Sequence, residues 1–104
     1  MARRVVYSPQ AQCHLIGLYD WIAGESGFPS RAEAYVSALM DQCDALADFP
    51  MFGRARDGIR PGLRTTGFRR RAVIAFAVTD EVIEILGIYY GGRDYESLLR
   101  TSKE

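Results

Sequence analysis

The sequence predicts an α+β fold in which two helices come before a group of strands. Two segments with helical periodicity occupy residues 9–49, and three apolar runs separated by short turns occupy residues 62–90. A chain of 104 residues that is 48% hydrophobic and 25% charged has the length and composition of one globular domain. We therefore expect an N-terminal strand and an antiparallel helical hairpin packed on one face of a mostly antiparallel four-stranded sheet.

A short strand leads into the first predicted helix. Arg3–Tyr7 contains strand-forming residues, and it is followed by Ser8 as the expected helix cap and Pro9 at the first helical position. Gly24 and Gly27 are expected to end this helix. Four apolar residues at spacings of four, three and four residues give it one apolar face: Ala11, Leu15, Leu18 and Ile22.

The second helix is predicted to begin at Ser30, which forms a capping box with Glu33, and to end before Pro50. Cys13 and Cys43, one in each helix, lack metal-ligand spacing and are predicted to be small buried residues rather than a disulfide. No metal or other cofactor is expected. The apolar face of the second helix is predicted to comprise Ala32, Tyr35, Leu39, Leu46 and Phe49, with Cys43 close by.

The second half of the chain is predicted to form a basic loop, a sheet and a tail. The basic loop covers residues 50–61 and the sheet covers residues 62–90. Three strands are expected at Leu63–Phe68, Ala72–Val78 and Val82–Tyr90, because each is an apolar run bounded by turn residues. Residues 91–104 would form a C-terminal tail with a short helical turn.

Charge is unevenly distributed although the formal net charge is zero. Residues 20–48 hold six acids and one base, whereas residues 54–71 hold seven arginines and one acid. Arginine binds carboxylates and phosphates through a planar fork. The pattern fits either internal neutralisation of the strands by the helices or a basic surface for an acidic partner. A net charge of zero argues against bulk nucleic-acid binding.

No part of the chain has the pattern of a membrane span or a secretory signal. No apolar run approaches the ~20 residues that a membrane helix needs. The basic N-terminus is not followed by an apolar segment long enough for a signal peptide. We therefore expect a cytoplasmic protein with no membrane partner.

Four motifs, in this order, give the chain a family resemblance. They are Tyr7-Ser8-Pro9-Gln10-Ala11 before the hairpin, Phe49-Pro50-Met51-Phe52-Gly53-Arg54 after it, Arg60-Pro61-Gly62-Leu63-Arg64 at the start of the sheet, and Ile85-Leu86-Gly87-Ile88-Tyr89-Tyr90-Gly91-Gly92-Arg93-Asp94 at its end. On these motifs the chain resembles the RelE/ParE superfamily of bacterial toxins, and specifically its ParE branch. The resemblance covers nearly the whole chain.

The resemblance implies the toxin of a bacterial type II toxin–antitoxin system, a growth inhibitor with a role in plasmid or chromosome maintenance. A ParE-type toxin is expected to poison DNA gyrase through protein–protein contact, without catalysis. Its partner would be a ParD-like ribbon-helix-helix antitoxin in a hetero-oligomer, and operator DNA would be bound only through that antitoxin. The alternative is a ribosome-dependent mRNA endoribonuclease similar to RelE.

The residues themselves give little support to an enzyme. A ribonuclease needs an acid or base with a shifted pKa beside a phosphate site. The single histidine, His14, is interpreted as a solvated helix residue, and Glu84 as the solvent-facing member of a strand. If the chain were a ribonuclease, Arg64, Tyr90 and Arg93 would be the catalytic candidates. The residues predicted to bind antitoxin or target are Arg54, Arg56, Arg60, Arg64, Arg69, Arg70, Arg71, Tyr90 and Arg93.

Overall fold

The computed structural model describes residues 3–90, so predictions for the tail, including the role of Arg93, lie outside the described residues. The α+β architecture is confirmed. All four predicted strands are present, and the last three have the predicted bounds. In chain order the elements are β1 (Arg4–Tyr7), α1 (Pro9–Ser26), α2 (Pro29–Ala45), β2 (Arg54–Ala55), β3 (Leu63–Phe68), β4 (Ala72–Val78) and β5 (Val82–Tyr90).

The sheet has five strands in the order β1-β5-β4-β3-β2. β1 joins β5 in parallel, and the other neighbours are antiparallel. The two-residue strand β2 falls in the predicted basic loop, which makes the sheet one strand wider than expected. The pairing of β2 with β3 continues beyond β2, where the Arg56 amide donates a hydrogen bond of 2.8 Å to the Leu63 carbonyl.

The caps of α1 follow the prediction at Ser8 and Gly27, but the expectation that Gly24 also ends the helix was wrong. The Ser8 hydroxyl oxygen accepts a hydrogen bond of 3.1 Å from the Ala11 amide, and Pro9 occupies the first turn. Gly27 ends the helix in the left-handed conformation with a φ of 75°, while Gly24 lies inside the helix. A residue without a Cβ fits this helix end because left-handed backbone carries no steric cost for glycine.

The predicted start of α2 was wrong. The helix begins at Pro29 with Phe28 as its cap, no side chain makes the capping hydrogen bond, and Ser30 lies inside the first turn. Proline has the φ of a first helical residue, and it holds the preceding residue extended, so the helix starts one residue early. The helix ends at Ala45, where hydrogen bonds of the i to i+3 type tighten the chain toward Pro50. Within residues 3–90, neither helix is long and apolar enough to cross a membrane.

The main core lies between the helices and one face of the sheet. Phe76, Ile74 and Ile85 are fully buried on the sheet side, opposite Leu39 and Cys43 of α2. A smaller apolar cluster lies on the other face, where Leu63, Ala75 and Tyr89 pack with the loop residue Ile59.

Two expectations about burial were wrong. Phe49 is 65% exposed because the helix has already ended before it. Cys13 is an exposed free thiol because it lies two positions from Ala11, away from the buried face of α1, whereas Cys43 is buried as predicted.

Candidate functional site

The predicted basic surface is divided between the two ends of strand β3. Arg54, Arg56, Arg60 and Arg64 lie near its start, and Arg69–Arg71 form the turn after its end. The six residues of β3 put these groups roughly 17 Å apart at about 3.4 Å per residue. The seven arginines therefore form two separate surfaces, although all of them lie within residues 54–71 of the sequence.

The guanidinium group of Arg64 donates hydrogen bonds to backbone carbonyl groups. Its Nη2 donates to the carbonyl oxygen of Met51 at 2.6 Å and to that of Gly53 at 3.4 Å, while its Nε donates to Phe52 at 3.3 Å. Three consecutive carbonyl groups after α2 are thus held by one guanidinium group. Hydrogen bonds to a charged donor are stronger than neutral ones, so Arg64 fixes the shape of this loop.

The loop that Arg64 holds is apolar and exposed. Phe49, Met51 and Phe52, which we call the apolar loop, are 65%, 71% and 50% exposed. Gly53 ends the loop with a φ of 81°, and a side chain there would overlap the Thr65 carbonyl. Sequence analysis did not assign these apolar residues to the site. The sequence could have indicated Met51 and Phe52, because they lie between Pro50 and Gly53, outside any helical or strand periodicity that would bury them.

Three further arginines border this end of β3. Arg54 is exposed and lies opposite Thr65. Arg56 is half-buried and donates from Nε to the Thr65 hydroxyl at 3.3 Å. Arg60 lies near Tyr89: burial raises the pKa of the Tyr89 hydroxyl, and the positive charge of Arg60 opposes that rise. Arg54 and Arg56 line the same concave surface as Phe52, so cations border the apolar loop on this side.

A second concave surface lies between α1 and the end of β5. It is a groove of ≈ 440 Å³ lined by Cys13, His14, Gly17, Leu18, Trp21, Ile88 and Tyr90. His14 is not a solvated residue, contrary to the prediction. Its Nδ1 accepts a hydrogen bond of 3.0 Å from the Ile88 amide, and its ring meets Tyr89 edge to face at 5.1 Å. An imidazole nitrogen that accepts a hydrogen bond carries no proton.

The structure does not bring together Arg64 and Tyr90, two of the residues predicted for a ribonuclease. Arg64 lies opposite Phe76 near the start of β3, whereas Tyr90 lies opposite Ala72 at the other end of the sheet. Tyr90 packs edge to face on Trp21 at 5.1 Å and on Tyr35 at 5.7 Å. Glu84 is exposed, as predicted for a solvent-facing strand residue. Within residues 3–90 there is no group of three or more His, Cys, Asp and Glu placed to hold a metal ion.

Residues 5–95 match the family described as ParE toxin of type II toxin-antitoxin system, parDE. The chain belongs to the ParE toxin family. Two similar proteins are each named Toxin ParE1 and come from Mycobacterium tuberculosis strains CDC 1551 and H37Rv. Each is 29% identical over 96 residues, which cover 92% of this chain and 97% of the relative. The family resemblance predicted from the four motifs is confirmed.

A solved structure has the same architecture. The structure titled "Chromosomal ParDE TA system from P. aeruginosa" contains a chain that superposes with a TM-score of 0.74 at 24% identity. The match covers 86% of this chain and 97% of that chain. In this ParE-family chain, both the apolar loop and the groove lie within the residues that match the family.

Proposed function

We propose that this toxin inhibits growth by poisoning DNA gyrase through protein–protein contact, and that a ParD-like antitoxin neutralises it in the cytoplasm. The observation that carries the proposal is the exposed apolar loop, Phe49, Met51 and Phe52, bordered by arginines. Large apolar side chains and arginine are enriched at protein interfaces and at their energetic hot spots. Holding three carbonyl groups with Arg64 gives this surface a fixed shape before a partner binds.

The positions of His14 and Arg64 support a toxin without a catalytic step. His14 uses Nδ1 to accept from the Ile88 amide, and Arg64 uses Nε and Nη2 on backbone carbonyls. General acid–base catalysis needs a titratable group within hydrogen-bond reach of the reacting atoms. Among residues 3–90, the groups predicted for a ribonuclease are held apart by the sheet.

The antitoxin is proposed to use the groove, the apolar loop and the arginines beside it. An amphipathic helix can place its apolar face in a groove, and an extended segment can pair with an open strand edge. The complementary segment is expected to be acidic where it meets Arg54 and Arg60. The antitoxin's ribbon-helix-helix part would bind operator DNA for the hetero-oligomer.

The test adds the purified full chain to DNA gyrase, supercoiled plasmid and ATP. Gyrase-dependent linear or nicked DNA that the antitoxin abolishes is the expected result. Phe52→Ser should reduce this cleavage, because it removes an exposed aromatic contact. Ile16→Ser is the matched control, since Ile16 is also exposed, at 64%, but lies on α1 outside the groove and the apolar loop.

Two results would contradict the proposal. One is a folded protein that leaves gyrase unaffected but cuts mRNA in a translation reaction, which would favour the ribonuclease. The other is equal loss of gyrase poisoning in Phe52→Ser and Ile16→Ser, which would separate the function from the apolar loop.

A further inference from the structure

The turn after β3 consists of three exposed arginines, Arg69, Arg70 and Arg71, which we call the arginine turn. The Phe68 carbonyl oxygen accepts a hydrogen bond of 3.2 Å from the Arg71 amide. Arg69 and Arg70 have φ values of 52° and 61°. Tight turns with positive φ at both central positions favour Asn-Gly, because most side chains clash there.

The arginine turn therefore holds side chains in a backbone conformation that disfavours them. The left-handed region costs a non-glycine residue roughly 1–2 kcal/mol. Strain of this kind is typically retained at functional sites. No packing requirement explains Arg70, whose side chain is exposed. Arg69 lies over the rings of Phe68 at 5.0 Å and Tyr35 at 5.7 Å, which fixes the direction of one guanidinium group.

The described part of the chain, residues 3–90, places no acidic partner on the arginine turn. Within residues 3–90, none of the three arginines has an ion-pair partner. Burial raises the pKa of the Tyr35 hydroxyl, and the charges of Arg69 and Arg71 oppose this. Toward the other end of α2, the negative charges of Asp41 and Asp44 add to burial in raising the pKa of the Tyr7 hydroxyl. Positive charge therefore lies beside the Tyr35 end of α2, and negative charge lies at its other end.

We propose that the arginine turn binds the phosphodiester backbone of duplex DNA directly. Its flanking residues Phe68 and Ala72 are buried, so the turn offers guanidinium groups and no exposed apolar side chain. Phosphate contacts need only cations and carry no sequence information, whereas a protein interface needs a desolvated apolar centre. The exposed apolar residues Phe49, Met51 and Phe52 of the apolar loop lie at the opposite end of β3. The arginine turn is therefore a polyanion site, separate from the apolar loop.

The experiment measures binding of the full chain to a fluorescein-labelled 20-base-pair duplex by anisotropy as salt is varied. Arg69→Asn with Arg70→Gly should weaken binding about tenfold at low salt, and should reduce the slope of log K against log salt by about 2, since each phosphate contact contributes about 0.9. The same variant should unfold at higher urea concentration, because Asn-Gly fits the turn. Arg70→Gln with Arg71→Gln should weaken binding while leaving Arg69 on its aromatic rings.

The matched control is Arg3→Gln with Arg4→Gln. It removes the same net charge at the other end of the sheet, beside the β4–β5 turn, and should leave DNA affinity nearly unchanged. Three results would overturn the proposal: no DNA binding by the folded wild-type chain at low salt, equal losses in the turn variants and the control, or binding of poly-L-glutamate in place of DNA. The assay contains neither gyrase nor antitoxin, so its outcome is independent of the proposed gyrase poisoning.

Discussion

The amide of Ile88 donates a hydrogen bond of 3.0 Å to Nδ1 of His14, joining the end of β5 to the middle of α1. β1 ends at Tyr7, and the next residue, Ser8, donates to the carbonyl groups of Ile85 and Leu86 through its amide and hydroxyl. His14 then satisfies the next donor along the same edge of β5. A helix side chain therefore takes the place of a neighbouring strand where β1 is too short to reach.

Replacing His14 with alanine should destabilise the fold by about 1–2 kcal/mol, because the half-buried Ile88 amide would lose its acceptor. His14→Gln keeps an acceptor of similar reach and should recover part of the loss. Urea unfolding of the two variants is the measurement. Equal destabilisation by both would indicate that ring packing on Tyr89, at 5.1 Å, matters more than the hydrogen bond.

Gly53→Ala should be strongly destabilising, by at least about 2 kcal/mol. The backbone φ there is 81°, and the new Cβ would overlap the Thr65 carbonyl of the neighbouring strand. Gly58→Ala is the matched control, since a Cβ at that position meets no atom within 4 Å. Thermal unfolding of both variants tests the difference, and a neutral Gly53→Ala would contradict the described pairing of β2 with β3.

Stability should fall in alkaline solution because of the buried Cys43 thiol. Burial raises its pKa from 9.0 to about 11. The folded chain keeps this proton to a higher pH than the unfolded chain does. The contribution is therefore complete below about pH 9 and declines as pH rises toward 11, by up to about 3 kcal/mol.

Urea midpoints between pH 8 and pH 11 measure this decline. Cys43→Ala should flatten it, and Cys13→Ala, which changes an exposed thiol, is the matched control. Burial also raises the pKa of the Tyr7 hydroxyl, so some loss above pH 10 should remain in Cys43→Ala. An identical pH dependence in wild type and Cys43→Ala would show that the thiol is not responsible.

Antitoxin binding should respond differently to charge and to apolar area at the start of β3. Arg54→Glu with Arg60→Glu should weaken the complex and change its salt dependence, because an acidic segment would face two new carboxylates. Phe52→Ala should weaken it about tenfold with the salt dependence unchanged, since the lost contact is uncharged. Titration of antitoxin at several salt concentrations distinguishes the two. Arg64 is unsuitable for charge reversal because it holds Met51–Gly53.

The sequence predicted the strands closely because each is an apolar run between turn residues, and Leu63–Phe68, Ala72–Val78 and Val82–Tyr90 have the predicted bounds. It failed at the start of α2, where a capping-box pattern at Ser30 competed with Pro29. It also failed for His14, whose partner Ile88 is 74 residues away. A local pattern contains no information about a hydrogen bond of that sequence separation.

The amino-acid sequence by itself determined the α+β class, the order of the main elements and the ParE family, because periodicity, turn residues and short motifs are local properties of a chain. Tertiary structure alone decided where the arginines lie and that Arg64 binds the backbone. Strand pairing places Arg64 where it donates to the carbonyl groups of Met51–Gly53, and it places Arg69–Arg71 at the far end of β3. Seven cations within 18 residues of sequence become two separate surfaces, because an extended strand places its two ends well apart.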